Sequence, residues 1–481
     1  MVRFTGAESR STFSVVNETS QPVEVLLSVS RDAPVTLGAQ IEDALRRAIR
    51  EGSLHAGAQV PSTRDLARQL GVSRRIAVDA YAQLAAEGYL TLRQGARPRV
   101  SDTAAVGAPA EAAPVVAPPP RFDFRPSVPD VSAFPRDAWM RSLREAVRSI
   151  TDFELGHGTP EGVEELRSAL ADYLGRVRGV VAGGDRVVVT SGYSQGLGLV
   201  CRALAARGAR AVAIEDPSNI EQRAIVQRSG LEPVPVPVDG GGLVVAALGR
   251  ADGVVVTPAH QHPTGVLLSP ERRAALCAWL RERDAVAIED DYDAEYRYDR
   301  AAVGALQGLE PERVVYAGSA SKTLAPALRL GWLVVPAGLM AAVRAEKTLA
   351  DRGSPRIDQL AFADFLARGE LDRHLRRMRA RYRARRDAMI AALREELPEA
   401  EVLGIAAGLH VTVRLPGDES AVRAEAERRR IALETMRDFR PAEADGAVTL
   451  MLGYAAVPEP TIRAGVRELA AAIRLPGSRP R

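Results

Sequence analysis

SASKTLAPALRLGW, Ser319 to Trp332, holds one of the two lysines in a chain of 481 residues; the other is Lys347. Lysine and arginine together number 64, so ordinary positive charge in this chain is carried by arginine. A lysine is then singled out by what an amine does and a guanidinium does not, which is to form a Schiff base with a carbonyl. Around Lys322 stand the hydroxyls of Ser319 and Ser321 and the guanidinium of Arg329. These groups suit a phosphate monoester, the guanidinium through its bidentate fork. A lone lysine in a loop is most often a surface residue; three segments upstream reverse that expectation.

The first, VVVTSGYSQG (187–196), is a strand, a Gly-containing turn and the start of a helix. Free N–H groups and the helix dipole make such a turn an anion site. Gly192 to Gly196 also matches the G-x-S-x-G nucleophile elbow of hydrolases. His260, His262, His374 and His410 are available as partners, but no oxyanion loop follows and the other segments would go unexplained. The second segment, TPAHQHPTG (257–265), is a loop after a strand. The third, IEDDYD (288–293), sits at the C-terminal end of a strand, where α/β sheets bind ligands. Asp290 and Tyr292 share a face by the two-residue period, so both can address one ligand. A carboxylate keeps a pyridine nitrogen protonated, and a phenol bonds a ring oxygen; Asp291 or Glu289 would replace Asp290 if the register slips by one.

In this order the four segments resemble the fold-type I aminotransferases, which use pyridoxal 5'-phosphate (PLP), over some 350 residues. The resemblance implies Lys322 as the lysine of the internal aldimine, Asp290 opposite the pyridine nitrogen and Tyr292 at the ring hydroxyl. It places Ser319, Ser321, Arg329 and the turn N–H groups of Tyr193 and Ser194 on the phosphate, and His262 among the cofactor-binding residues. Two departures stand out. Glu215 to Asn219 (EDPSN) lacks the aromatic that many relatives stack on the cofactor ring, and Thr449 to Tyr454 (TLMLGY) lacks the arginine that commonly holds a substrate carboxylate. Arg437 and Arg440 lie nearby as substitutes. Robust transamination is therefore not the expected output.

The N-terminal part has a different pattern. Leu37, Ile41, Leu45 and Ile49 recur every fourth residue along one helix face. Ser62 caps a second helix with Asp65 as its capping-box partner, and Gly71 ends it. Ser73 opens a third helix, with Ala77, Ala80, Tyr81 and Leu84 inward and Arg74, Arg75 and Val78 outward. Tyr89–Leu92 and Arg97–Val100 then form a hairpin around Arg93–Ala96. The stretch EGSLHAGAQVPSTRDLARQLGVSRRIAVDAYAQLAAEGYL (51–90) is similar to the winged helix-turn-helix of the GntR family of bacterial regulators. That resemblance assigns DNA contacts to Arg64, Ser73, Arg74 and Arg75, with the wing near Gly95. The wing sequence Gly95-Ala96-Arg97-Pro98 departs from the family's usual Gly-Ser-Gly-Thr.

Charge follows the same division. The net charge is +3, while residues 31–100 alone carry a surplus of four arginines over carboxylates and residues 101–481 balance to zero. A polyanion would meet that N-terminal block. The Ala/Pro-rich TAAVGAPAEAAPVVAPPP (103–120) has neither helical nor strand period and suits a tether. The expected domains are thus a winged helix at 30–102, a linker at 103–120 and an aminotransferase-like effector and dimerisation domain at 121–478. In the last, short Val/Ile runs alternating with helices indicate a mostly parallel sheet. The arginine cluster His374–Arg386 is read as a solvated or dimer-facing helix rather than a nucleic-acid patch.

Cys201 and Cys277 lack metal spacing, no apolar run is long enough for a membrane span, and no signal peptide precedes the first helix. A cytoplasmic homodimer binding no metal is expected. The two halves together are similar to the MocR/GabR subfamily of GntR regulators. That implies a transcription regulator sensing PLP, an amine or an amino acid through a Lys322 aldimine, with control of vitamin B6 or amino acid metabolism. The alternative is a genuine aminotransferase with an accessory DNA-binding domain.

Overall fold

The computed structural model describes residues 8–16, 22–102, 118–156, 158–299, 303–440 and 447–474. The chain divides into two compact units, Met1–Pro118 and Pro119–Arg481. Most of the expected linker, residues 103–117, lies outside the described residues.

The first unit is built on helices Leu37–Arg50, Thr63–Leu70 and Arg74–Ala86. Each opens on a hydroxyl cap: Thr36 accepts from the Ala39 amide, Ser62 from Asp65 and Ser73 from Ile76. These bonds satisfy donors that a helix start leaves unpaired. The Ser62 hydroxyl also donates to the Asp65 carboxylate at 2.7 Å, so Asp65 meets the cap through its side chain rather than through the Ser62 amide. Gly71, at φ +62°, closes the second helix and lets the cap of the third, Ser73, follow two residues later. Ile41, Leu45, Ile49, Leu66, Leu70, Tyr81 and Leu84 fill one core, and each large aliphatic side chain so buried contributes about 1.5–3 kcal/mol. The wing is shorter than the sequence suggested: Leu90 pairs with Val100 and Thr91 with Arg99. An antiparallel pair, Glu8–Val16 with Pro22–Ser30, precedes the first helix and was not foreseen. Its Leu27 and Val29 join the same core.

In the second unit an eight-stranded sheet runs in the order Val187–Thr190, Gly331–Val334, Val314–Ser319, Val286–Asp291, Gly253–Val256, Ala211–Asp216, Glu232–Asp239, Gly242–Leu243. Gly331–Val334 is antiparallel to both its neighbours and the terminal Gly242–Leu243 to its one; the other pairings are parallel. Strand Glu232–Asp239 (EPVPVPVD) was missed because alternate prolines cannot donate to a ladder. Glu401–Leu403, His410–Pro416, Ala447–Gly453 and Glu434–Thr435 form a separate four-stranded antiparallel sheet. It carries helices Glu419–Arg428 and Glu459–Ile473.

The long helix Glu370–Glu396 carries the arginine cluster. Arg381 and Arg385 pair with the buried Asp130, and Arg379 and Arg383 donate to the carbonyls of Glu295 and Tyr298. These four guanidiniums tie loops to the helix, while Arg376 and Arg377 of the same cluster are exposed, as a solvated face has them. Among the described residues no helix is long and apolar enough to cross a membrane.

Candidate functional site

Parallel strands end at one edge of the large sheet, and their C-terminal ends surround a cavity of about 250 Å3. Lys322, Asp290, Tyr292, Arg329, Ser319, Ser321, Tyr193, Ser194 and His262 all line it. The structure thus brings together every residue the sequence assigned to a cofactor. It also resolves the register at the acidic strand end. Asp291 turns the other way, where Arg178 meets it at 2.7 Å and Tyr316 donates to it at 2.7 Å. Glu289 likewise accepts from the amides of Leu306 and Gln307. Asp290 alone of the three aims its carboxylate at the cavity, accepting from Gln222 at 3.2 Å.

Asp290 has no guanidinium against it. Burial first, then the repulsion of neighbouring Asp291, Asp293 and Glu215, pushes its carboxyl up to about 8. A carboxyl so placed gains most from a cationic N–H partner. The Lys322 ammonium is pushed down by burial, with Asp290, Asp293 and Glu434 opposing, which favours the neutral amine that a Schiff base requires. Burial also holds His262 down to about 3, so it is neutral, and its Nδ1 is a buried atom without a partner. Its ring packs edge-on against Tyr292, His410 and Phe439, with centroids 5.6, 5.4 and 5.0 Å away. The Tyr292 hydroxyl lies 3.0 Å from Nδ1 of His260, which is itself 2.9 Å from Asp293.

At the other end of the cavity lies an anion cradle. Helix Tyr193–Ala206 starts at Gly192 with no side chain capping it. Gly192 has φ +126°, and a Cβ at Gly331 would stand 2.7 Å from the Gly192 Cα, so only glycines allow this close turn. The Arg329 guanidinium lies over Gly192, 3.1 Å from where a Cβ would be. Ser319 and Ser321 hydroxyls are 2.9 Å apart beside it. An uncapped helix start, two hydroxyls and a guanidinium together suit a phosphate monoester.

The chemistry of this donor set therefore fits PLP: two hydroxyls, a guanidinium and an uncapped helix start that suit a phosphate, and a carboxyl and a lysine lining the same cavity. Comparisons with known proteins agree. Residues 130–450 match the aminotransferase class I and II family, and residues 37–100 match the bacterial regulatory proteins of the gntR family. The chain is 33% identical over 392 residues to the HTH-type pyridoxine biosynthesis transcriptional regulator PdxR of Corynebacterium glutamicum, covering 80% of this chain and 85% of that one. It is 32% identical over 477 residues to the probable rhizopine catabolism regulatory protein MocR of Rhizobium meliloti, covering 93% and 96%.

The chain belongs to the MocR-type regulators of the GntR family. Its large unit has the fold of the PLP aminotransferases. It resembles the Pyrococcus horikoshii kynurenine aminotransferase with TM-score 0.66 and 27% identity, over 73% of this chain and 90% of that one. This MocR-type regulator is accordingly a PLP-dependent helix-turn-helix transcription regulator. Its helix-turn-helix unit exposes Arg64 at the start of the second helix, Ser73, Arg74 and Arg75 at the start of the third, and Gly95 at the wing, φ +78°. Arg75 pairs with Asp79 at 3.7 Å, with both side chains largely in solvent.

Several site residues escaped the sequence. Gln222 joins Asp290 to the Tyr193 hydroxyl, and Glu215, pushed up to about 7 by burial, accepts from Thr257 and Gln261 beside the cavity. A lone Gln inside a helix carries no signal of its own. The two arginines offered as carboxylate holders are engaged elsewhere. Arg437 donates to Ser420, and Arg440 donates to the carbonyl of Asp216. Neither lines the cavity.

Proposed function

We infer that this regulator reads the cellular level of PLP, holding the cofactor at Lys322 and passing its presence to DNA affinity. The observation that carries this reading is the cavity itself. Lys322, Asp290 and Tyr292 face a phosphate cradle, while Arg329 is the only arginine lining the cavity among the described residues. A site that bound amino acids would need a cation for the carboxylate. Met451 occupies the strand position that pairs with Thr412 and Glu434, and it is fully buried. The named role of the Corynebacterium relative in pyridoxine biosynthesis points the same way.

When bound, PLP supplies an aldehyde that condenses with an amine, releasing water. The protein's own groups do the rest. Asp290 would hold a proton on the ring nitrogen, and Tyr292 with His262 would orient the ring oxygen. Ser319, Ser321, Arg329 and the Tyr193 and Ser194 amides would hold the phosphate. In the other unit Arg64, Ser73, Arg74, Arg75 and the wing at Gly95 would contact double-stranded DNA, arginine by bidentate bonds to guanine or to phosphate. Ligand and DNA affinity are linked only as far as the ligand binds two states of the protein unequally.

A cytoplasmic homodimer completes the reading. Phe153, Leu155 and Leu349 are 92%, 60% and 83% exposed, and large apolar side chains so placed suit a subunit interface. Both cysteines are free and buried, as in a reducing compartment.

The test is the visible absorbance of the full chain with added PLP, beside Lys322→Ala, before and after borohydride. The wild type is expected to show a visible band that borohydride bleaches while leaving the cofactor covalently fixed to the chain, and K322A neither. Identical spectra would remove the lysine from the mechanism. Turnover with an amino acid and an oxo acid would instead favour a genuine aminotransferase.

A further inference from the structure

The second lysine is the one the cofactor chemistry leaves unexplained. Lys347 lies on helix Ala337–Asp351 and is fully buried, 0% exposed. Its ammonium has three donors, and three acceptors surround it. They are Asp351 Oδ2 at 2.6 Å, Ser354 Oγ at 2.9 Å and Gln195 Oε1 at 3.3 Å. A planar guanidinium on a longer stem does not place three N–H bonds around one point, which gives a reason for lysine in a chain that otherwise uses arginine.

Gln195 is the link to the site. It is the third residue of helix Tyr193–Ala206, whose uncapped start forms the anion cradle. Its Nε2 donates to Asp351 Oδ2 at 2.7 Å, and its Oε1 accepts from the Ser191 amide at 2.8 Å as well as from Lys347. The carboxamide is thereby held in one orientation. The Ser191 amide is engaged away from the cavity, the Thr190 hydroxyl lies 3.4 Å from the Gly192 amide, and Tyr193 and Ser194 line the cavity. Asp351 is fixed in turn by the Gly353 amide at 2.9 Å.

We propose that Lys347 is a positioning residue for the phosphate-binding turn, its ammonium acting through Gln195 to hold the Ser191–Ser194 backbone in the anion-receiving conformation. This rests on the assignment of that turn to the PLP phosphate. Lys347 touches no cavity atom itself; it acts through Gln195. A merely structural ion pair would affect all ligands of the cavity alike, whereas a device for the turn affects only those bearing a phosphate.

The experiment titrates PLP and pyridoxal, which has the same ring and aldehyde but no phosphate, into full-length wild type, Lys347→Met and the double variant K347M/D351N. The visible band is the readout, and each variant is compared with wild type for each ligand. PLP binding is expected to weaken about tenfold or more while pyridoxal changes less than about twofold. The double variant removes both charges, so it leaves no unpaired buried carboxylate and serves where the single one fails to fold. Equal weakening of both ligands, or no change in either, overturns the role of Lys347. A wild type that binds PLP no better than pyridoxal overturns the phosphate assignment and the inference with it.

Discussion

The helix-turn-helix unit and the cofactor unit use charge in opposite ways. In the first, Arg64, Arg74 and Arg75 stand in solvent. In the second, Arg178 and Asp291 are each 1% exposed and paired, and the buried Arg273 is spent on the carbonyls of Leu268, Pro258 and Gly304. An exposed guanidinium loses little by exchanging water for a phosphate, and it releases counterions from DNA when it does so. A buried charge must be satisfied at once or it destabilises the fold. The large unit therefore signals its ligand by groups in the cavity that lack a charged or hydrogen-bonding counterpart: Asp290, which meets a carboxamide but no cation, and Nδ1 of His262, which has no partner. A partner for the first unit is recognised by surplus at the surface, and a ligand for the second by deficit in a cavity.

Three measurements sharpen or break this contrast. Replacing Arg74 and Arg75 together by Ala should weaken DNA binding on the order of 100-fold and make it less salt-dependent. The PLP spectrum should stay unchanged; a lost cofactor band would show that the two regions are not separable in this way.

Asp290→Asn should act in two directions. PLP affinity should fall roughly 30-fold, because the cationic ring nitrogen loses its charged partner. The PLP-free protein should gain stability. The folded carboxyl, at about 8, lies above the unfolded value of 3.8, so ionisation costs stability as pH rises from about 4 toward 8. D290N removes that cost, so its gain over wild type is largest at pH 8, on the order of several kcal/mol, and small near pH 4. Thermal melts at the two pH values check this, and a variant less stable than wild type at pH 8 would mean that Asp290 is not the unneutralised charge described.

The smallest effect lies in the DNA-binding unit. Ser62→Ala should cost about 1 kcal/mol through the lost cap on helix Thr63–Leu70. Faster hydrogen exchange confined to that helix would report it, and the cofactor cavity should not notice.

Local order explains which features were legible. Caps at Ser62 and Ser73, the Gly71 stop and the four-residue apolar spacing are short-range signals, and the three helices follow them. The gathering of the nine proposed cofactor residues around one cavity was also legible, because each sits in a short segment whose residue types suit one chemical task. The arginine cluster at 374–386 was legible in part: Arg376 and Arg377 are exposed, but the partners of Arg379, Arg381, Arg383 and Arg385 were not foreseen. Whether a guanidinium on a helix meets water or a distant carbonyl depends on what packs beside it, and Asp130 lies some 250 positions away along the chain. The hairpin at Glu8–Ser30 was missed for want of a turn signal as plain as Asn-Gly.

The sequence by itself thus determined two units, their fold classes and the residues that gather around the cavity, since helix periodicity, capping and strand ends are properties of neighbouring residues. Only the tertiary structure decided which carboxylate of Glu289, Asp290 and Asp291 faces the cavity, that Arg437 and Arg440 are occupied elsewhere, and that Gln222 and Gln195 belong to the site. Adjacent strand residues point to opposite faces, and a side chain's partner is set by packing between segments hundreds of residues apart. No local pattern carries that information.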